Sequence, residues 1–126
     1  MAGDVVTIIL NKVMRMTIKY NEYDLLELFW DFPKVIDEEA EIYEYSYRSK
    51  TGHKFSLYMS TYEDTAILTL EHEELKDPII SFELDKVDEI KADQEKLTVV
   101  RSGEPFVQVY IRPGITMKFL LNYDYD

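Results

Sequence analysis

The sequence predicts an α+β fold: a predominantly antiparallel β-sheet, arranged as a sandwich or half-barrel, with one N-terminal helix packed on it. Three observations lead to this prediction. The 126-residue chain is 46% hydrophobic and 31% charged, the balance of a globular protein with a sizeable core. Its ten tyrosines and six phenylalanines favour strands. Short alternating segments recur at roughly ten-residue spacing with turn residues between them, as in antiparallel sheets.

The first elements are predicted to be strands. Residues 14–20 alternate between apolar and polar side chains, which is typical of a half-buried strand. The apolar segment from Val5 to Leu10 is another strand or the lead-in to this one. We find no internal repeat, linker or low-complexity segment, so residues 1–126 are expected to form a single domain.

A helix is predicted to follow. Asn21 is a suitable N-cap, because its side chain can accept hydrogen bonds from the first turn. Residues 25–30 supply an apolar face at helical spacing. Pro33 ends or redirects the helix, since proline cannot donate a backbone hydrogen bond and restricts the residue before it. Val35 and Ile36 are expected to begin a second short turn.

From residue 40 onward the pattern has the period of two that strands require. Thr-Gly, Glu-Asp, Ser-Gly and Pro-Gly pairs separate several of the segments, as turn residues do. The predicted strands lie near 40–48, 54–60, 65–70, 80–84, 87–90, 97–101, 106–111 and 117–121.

Charge is the most informative bulk property. The net charge is −11 and the isoelectric point is about 4.6. Residues 37–95 hold 17 acids and six bases, so this middle segment carries the whole excess. Such a surface repels nucleic acid and anionic membranes and speeds association with a basic protein. We therefore expect a basic protein partner, no nucleic acid and no membrane.

The chain lacks the usual sequence signs of an enzyme or a secreted protein. It has no cysteine, no glycine-rich phosphate loop and no targeting signal, so we expect a cytoplasmic protein without catalytic residues or cofactors. The segment Glu71–Glu74, with His53, is the best metal candidate. In a strand, however, His72 shares its face with Glu74 alone, and a single imidazole with one carboxylate is a weak site. No metal is expected.

Acidic and tyrosine side chains are the candidate partner-binding residues. The acidic cluster lies where the chain leaves the helix and enters the sheet, and three tyrosines alternate along the following strand. Such tyrosines are either core residues or rigid interface anchors. The acids are either binding residues or solvated turn residues. The candidates are Asp37, Glu38, Glu39, Glu41, Tyr43, Glu44, Tyr45, Tyr47, Glu63, Asp64, Glu71 and Glu73.

The arrangement over residues 22–90 resembles the immunity proteins of bacterial polymorphic toxin systems, including those of contact-dependent growth inhibition. The segments that carry the resemblance are the helix 25–30 with Phe32-Pro33, the acidic segment 36–42, and the segment 80–87. The resemblance implies a cytosolic bacterial inhibitor that binds a toxin domain, often a basic nuclease, and occludes its active site.

Two other interpretations remain open. The chain could be a structural or adaptor module that self-assembles through edge strands. It could also be a small carbohydrate-binding or hydrolytic domain that uses a pair of carboxylates. Concentration-dependent oligomers would favour the first, and an activity lost with a single acid would favour the second.

Overall fold

The computed structural model describes residues 18–120, which form ten strands and one helix. The predicted strand from Val5 to Leu10, residues 14–17 and the end of the last predicted strand lie outside this range. The elements are β1 (Lys19–Tyr20), α1 (Glu22–Phe29), β2 (Lys34–Asp37), β3 (Ile42–Arg48), β4 (His53–Ser60), β5 (Thr65–His72), β6 (Ile80–Leu84), β7 (Glu89–Ala92), β8 (Lys96–Arg101), β9 (Glu104–Tyr110) and β10 (Thr116–Phe119).

The strands form two five-stranded sheets that do not close into a barrel. Sheet I has the order β1-β7-β8-β9-β10, and sheet II has the order β2-β3-β4-β5-β6. Neighbouring strands run antiparallel, except β1 and β7, which pair in parallel. The prediction of an α+β fold with mostly antiparallel strands and one helix is confirmed.

One hydrophobic core receives side chains from both sheets and the helix. Alternate residues of β4, β5, β8 and β9 point inward, as the period of two requires. Burial of each such side chain contributes about 1.5–3 kcal/mol. The buried residues include Leu25, Leu28 and Phe29 of α1, Phe55, Leu57, Met59, Ala66 and Leu68 of sheet II, and Leu97, Val99, Val107 and Val109 of sheet I.

Helix α1 begins at the predicted cap. The Asn21 side chain accepts hydrogen bonds from the backbone N–H groups of Tyr23 and Asp24, at 2.9 and 3.1 Å. The helix ends at Phe29, ahead of Pro33, because Trp30 adopts a left-handed conformation with φ of 60°. No helix within residues 18–120 has the length and apolar character needed to cross a bilayer.

Arg112 satisfies the carboxyl end of α1. Its Nη2 donates hydrogen bonds to the backbone carbonyls of Glu27 and Leu28, which have no partner within the helix. Its Nε donates to the Gln94 carbonyl at 2.9 Å. The guanidinium lies 3.8 Å from the centre of the Trp30 ring. A positive charge thus sits at the negative end of the helix dipole.

Substituting Arg112→Met is expected to lower the free energy of unfolding by about 2 kcal/mol, because the carbonyls of Glu27 and Leu28 lose their donor and Trp30 loses a cation–π contact. Urea denaturation followed by circular dichroism measures the change. Lys118→Met, at an exposed site, is the control. An equal, small loss in both variants would contradict this role for Arg112.

The expected second turn at Val35 and Ile36 is wrong. These residues lie in β2, an edge strand whose four side chains are all exposed. Lys34 and Val35 pair with Glu44 and Tyr43 of β3, and the register then shifts at Ile36. β-branched residues suit this extended backbone. The bulge interrupts the alternation by which the strand could have been recognised.

Asp93 holds the turn between β7 and β8. Its Oδ1 accepts hydrogen bonds from the backbone N–H groups of Glu95 and Lys96, at 2.8 and 2.9 Å. Partial burial tends to raise the pKa of Asp93, but these hydrogen bonds outweigh that effect and lower the pKa below 3.8. The ionised form is therefore favoured in the folded state. Its contribution to stability is present above the ordinary pKa and is lost as the pH falls through the lowered value.

Substituting Asp93→Ala is expected to lower the free energy of unfolding by about 1 kcal/mol at neutral pH. The difference from the wild-type protein should shrink as the pH falls below the ordinary range of a carboxyl group. Chemical denaturation between pH 7 and pH 3 measures it. Asp93→Asn, which retains an acceptor oxygen, is the control. A loss that stays constant across this range would contradict the prediction.

Candidate functional site

Six of the predicted acidic residues lie at one end of sheet II. The turns β2–β3 and β4–β5 are neighbours there because Ile42 pairs with Ser60 across β3 and β4. The Thr61 hydroxyl donates to Glu41 Oε2 at 2.8 Å, and the Thr61 N–H donates to the Glu41 carbonyl at 3.2 Å. We call this region the acidic end: Asp37, Glu38, Glu39, Glu41, Glu63 and Asp64.

These six carboxylates do not have the same role. Asp37 accepts a hydrogen bond from the Ala40 N–H at 3.0 Å, and Glu41 binds Thr61, so both help to shape the turn. Glu38, Glu39 and Glu63 are exposed. Among the described residues, ion pairs join only Glu44 to Lys54 and Asp85 to Arg101. The acidic end therefore presents carboxylates that no cation of residues 18–120 neutralises through a salt bridge.

The three tyrosines of β3 share one face, as predicted, and this face looks toward the core. Tyr45 is only 2% exposed, and its ring centre lies 5.4 Å from that of Phe29. Burial, followed by nearby Tyr20 and Glu22, raises the pKa of Tyr45. Tyr43 and Tyr47 are partly buried at the margins of the core. Tyr45 thus supports the fold from inside, and only its two neighbours remain accessible to a partner.

A groove opens between α1 and the start of sheet II, beside the acidic end. Its volume is about 230 Å³. Phe32 forms one wall and is 78% exposed. Partial burial, then the charges of Glu41 and Glu22, raises the pKa of Tyr43. We call this feature the aromatic groove; it is lined by Tyr20, Glu22, Leu26, Phe32, Pro33, Tyr43 and Tyr45.

The remaining three predicted residues lie elsewhere. Glu44 is on the outer face of sheet II, 8% exposed, with its Oε2 3.8 Å from Lys54 Nζ. Burial, then hydrogen bonding to Glu44, raises the pKa of Tyr58 to about 12. Glu71 pairs with Lys54 across the strands β4 and β5. Glu73 packs against Gly52, whose φ is +88°. Gly52 lies beyond the far end of β4, about 25 Å from the acidic end given the rise per residue of a strand.

The two histidines of the metal candidate are neighbours in sheet II. His53 and His72 pair across β4 and β5 with ring centres 4.6 Å apart. His72 Nε2 lies 2.9 Å from the Thr51 carbonyl, and its Nδ1 accepts a hydrogen bond from the Glu74 N–H at 3.1 Å. Residues 18–120 contain no group of three or more metal-ligating side chains.

Sequence reasoning missed the exposed apolar side chains that follow α1. Trp30 is 67% exposed, and Phe32, Val35 and Ile36 are exposed as well. The periodicity placed Trp30 on the buried helix face, whereas the helix ends one residue earlier. In the sequence, Phe32, Val35 and Ile36 flank the Pro33-Lys34 pair. This pattern is only a weak signal that the segment is exposed.

Comparison with known proteins gives one informative result. No protein-family model and no curated protein matches the chain. A chain in a solved contact-dependent growth inhibition toxin–immunity protein complex from Klebsiella pneumoniae 342 is similar, with a TM-score of 0.68. The two chains share a fold. They are 19% identical, and the alignment covers 82% of this chain and 96% of the Klebsiella chain.

This likeness bears on the fold alone, because the identity is low. The Klebsiella chain nevertheless belongs to a toxin–immunity complex. The segments within residues 22–90 resemble immunity proteins of that class of toxin system.

Proposed function

We propose that this protein is an immunity protein, which binds a bacterial toxin domain in a fixed ratio and covers its active site. The observation that carries the proposal is the fold shared with a chain of the Klebsiella toxin–immunity complex. On this proposal the protein acts by binding and not by catalysis, in the cytoplasm of the cell that it protects.

Charge supports the assignment to the immunity side of such a complex. The net charge of −11 is concentrated in residues 37–95, and the acidic end displays carboxylates without intramolecular ion pairs among the described residues. A nuclease toxin needs a basic surface to bind its polyanionic substrate. An acidic inhibitor is complementary to that surface and can occlude it. The proposed partner is therefore a basic toxin domain, and a nuclease fits best.

Expression of each protein alone and together tests the proposal. The partner would be captured from the native cells, identified after release by salt, and cloned. The partner alone should arrest growth, this protein alone should be harmless, and co-expression should restore growth. Arrest caused by this protein alone would contradict the proposal and place it on the toxin side.

The binding kinetics provide a second readout. If the acidic end guides the encounter, the association rate should fall steeply with salt, because exposed charges are screened over about 8 Å at physiological ionic strength. The dissociation rate should change much less. Stopped-flow measurements at low and high salt give both rates, and an association rate unaffected by salt would contradict electrostatic capture.

A hydrolytic function is the second candidate, favoured by one cleft. Thr51 Oγ1 lies 2.9 Å from His53 Nδ1, so an imidazole contacts a hydroxyl group in the arrangement that activates nucleophiles. Thr51, His53 and Lys50 line a cleft of about 520 Å³. A hydrolytic activity abolished by His53→Ala, with the toxin-neutralising activity absent, would favour this candidate.

A further inference from the structure

The aromatic groove differs from other clefts in the charges that line it. Its lining includes the carboxylate of Glu22 but no lysine or arginine. Four other clefts on the described part of the chain each include at least one basic side chain: Lys50, Arg112, Lys19 with Lys91, and Arg48 with Lys54. The aromatic groove is thus an acidic cavity with aromatic walls.

The surroundings extend this negative character. Partial burial and then Tyr43, Glu22 and Glu41 raise the pKa of Tyr20, so carboxylates act on the groove from α1 and from the β2–β3 turn. Glu38 adds to the effect at Tyr43. The negative character of the groove follows from the position of Glu22 in its lining, independently of these pKa shifts. A cation that enters the groove meets ring faces and negative charge together.

We propose that the aromatic groove receives a lysine or arginine side chain that projects from the toxin domain. This inference rests on the proposed function. The rings of Tyr20, Phe32 and Tyr43 would contact the cationic group through cation–π interactions, and Glu22 would provide the counter-charge. The cavity of about 230 Å³ has room for one long side chain and not for a folded segment.

The aromatic groove lies next to the acidic end, and this position predicts a second feature of the partner surface. Pro33 lines the groove, and the chain then passes along β2 directly into Asp37, Glu38 and Glu39. The inserted side chain should therefore belong to a larger basic patch. Exposed Val35 and Ile36 lie between the groove and the acids. On the toxin surface, apolar residues that contact Val35 and Ile36 should therefore separate the inserted cation from the other basic residues.

Matched substitutions test the groove in the full-length protein. Phe32→Ala removes an exposed wall, and Tyr23→Ala removes a ring of α1 that is 77% exposed and lies outside the groove. Glu22→Gln removes the counter-charge, and Glu27→Gln neutralises an exposed acid of the same helix.

The probe is the toxin domain identified by co-expression, with binding measured by surface plasmon resonance. We expect Phe32→Ala and Glu22→Gln each to weaken binding by about tenfold or more, mainly through faster dissociation, because filled interface pockets dominate affinity. Tyr23→Ala and Glu27→Gln should bind like the wild-type protein. Tight binding by both groove variants would contradict the inference while leaving the proposed function intact. Failure of the wild-type protein to bind or neutralise the toxin would contradict the proposed function instead.

A measurement without the toxin tests the groove inference separately from the proposed function. N-acetyl-arginine methylamide would be titrated into the free protein in the millimolar range and followed by NMR, with the uncharged norleucine analogue as the control. Shifts confined to Tyr20, Phe32, Tyr43 and their neighbours, and lost in Phe32→Ala, would support the inference. Equal shifts with the uncharged analogue would show an apolar groove without preference for a cation, and the inference would fail.

Discussion

Substitution of Phe55 by alanine is expected to lower the free energy of unfolding by about 3–5 kcal/mol, as large-to-small changes in a core do. Phe55 is completely buried on β4, the central strand of sheet II, and its ring stacks 6.1 Å from that of Phe29 in α1. The change would therefore leave a cavity between the helix and the sheet. Because a typical domain has only about 5–15 kcal/mol of stability, the variant should be near its unfolding limit at room temperature.

Guanidinium denaturation followed by fluorescence measures this loss. Phe119→Ala is the matched control, since that ring is 46% exposed on β10 and contacts Phe82 at the surface between the sheets. We expect its effect to be less than half as large. Comparable losses at the two positions would mean that the helix and sheet II do not share a tightly packed core.

Reversal of two charges at the acidic end is expected to slow association with a basic toxin domain by about tenfold or more at low salt. Glu38→Lys with Glu39→Lys replaces two exposed carboxylates that form no salt bridge with the described residues. The dissociation rate should change less, because steering acts on the encounter. Stopped-flow fluorescence over a range of salt concentrations measures both rates, and the variant and wild-type association rates should converge at high salt.

The matched control for this double variant is Glu74→Lys with Asp77→Lys. Both control residues are exposed in the loop between β5 and β6, beyond the far end of sheet II, and the change in net charge is the same. The control should associate nearly as fast as the wild-type protein. Equal slowing by the two pairs would show that total charge, and not the acidic end, governs the encounter.

The parts of the fold that local patterns determine could be predicted from the sequence. Asn21 caps the helix as expected, and Phe55, Leu57 and Met59 point inward with the alternation that a strand requires. By contrast, β2 was missed because its bulge breaks the alternation and all its side chains are exposed. The helix ends one residue before the predicted Trp30, because Trp30 adopts a left-handed conformation and Arg112, distant in sequence, donates to the last carbonyls.

The candidate site was predictable to a smaller extent. The acids of two turns are gathered into the acidic end by the pairing of β3 with β4, which residue spacing alone does not reveal. The pairing of β4 with β5 carries Glu71 and Glu73 to the opposite end of the sheet. The aromatic groove depends on Tyr20 of β1, Phe32 of the connection between α1 and β2, and Tyr43 of β3, which meet only in the folded protein. The binding roles of all twelve predicted residues stay predictions.

The hydrogen bonds of Arg112 to α1 have a consequence for the protein as it is synthesised. Arg112 follows the carbonyls of Leu28 and Glu27 by 84 and 85 residues, so the carboxyl end of the helix leaves the ribosome long before its partner exists. Until then that end is solvated or frayed, and Leu26, whose carbonyl bonds to Trp30 and whose side chain lines the aromatic groove, is held less firmly. A nascent chain should therefore lack the finished groove until Arg112 has left the ribosome. If the groove binds the toxin as inferred, a growing polypeptide would gain its finished binding site only after Arg112 has been added.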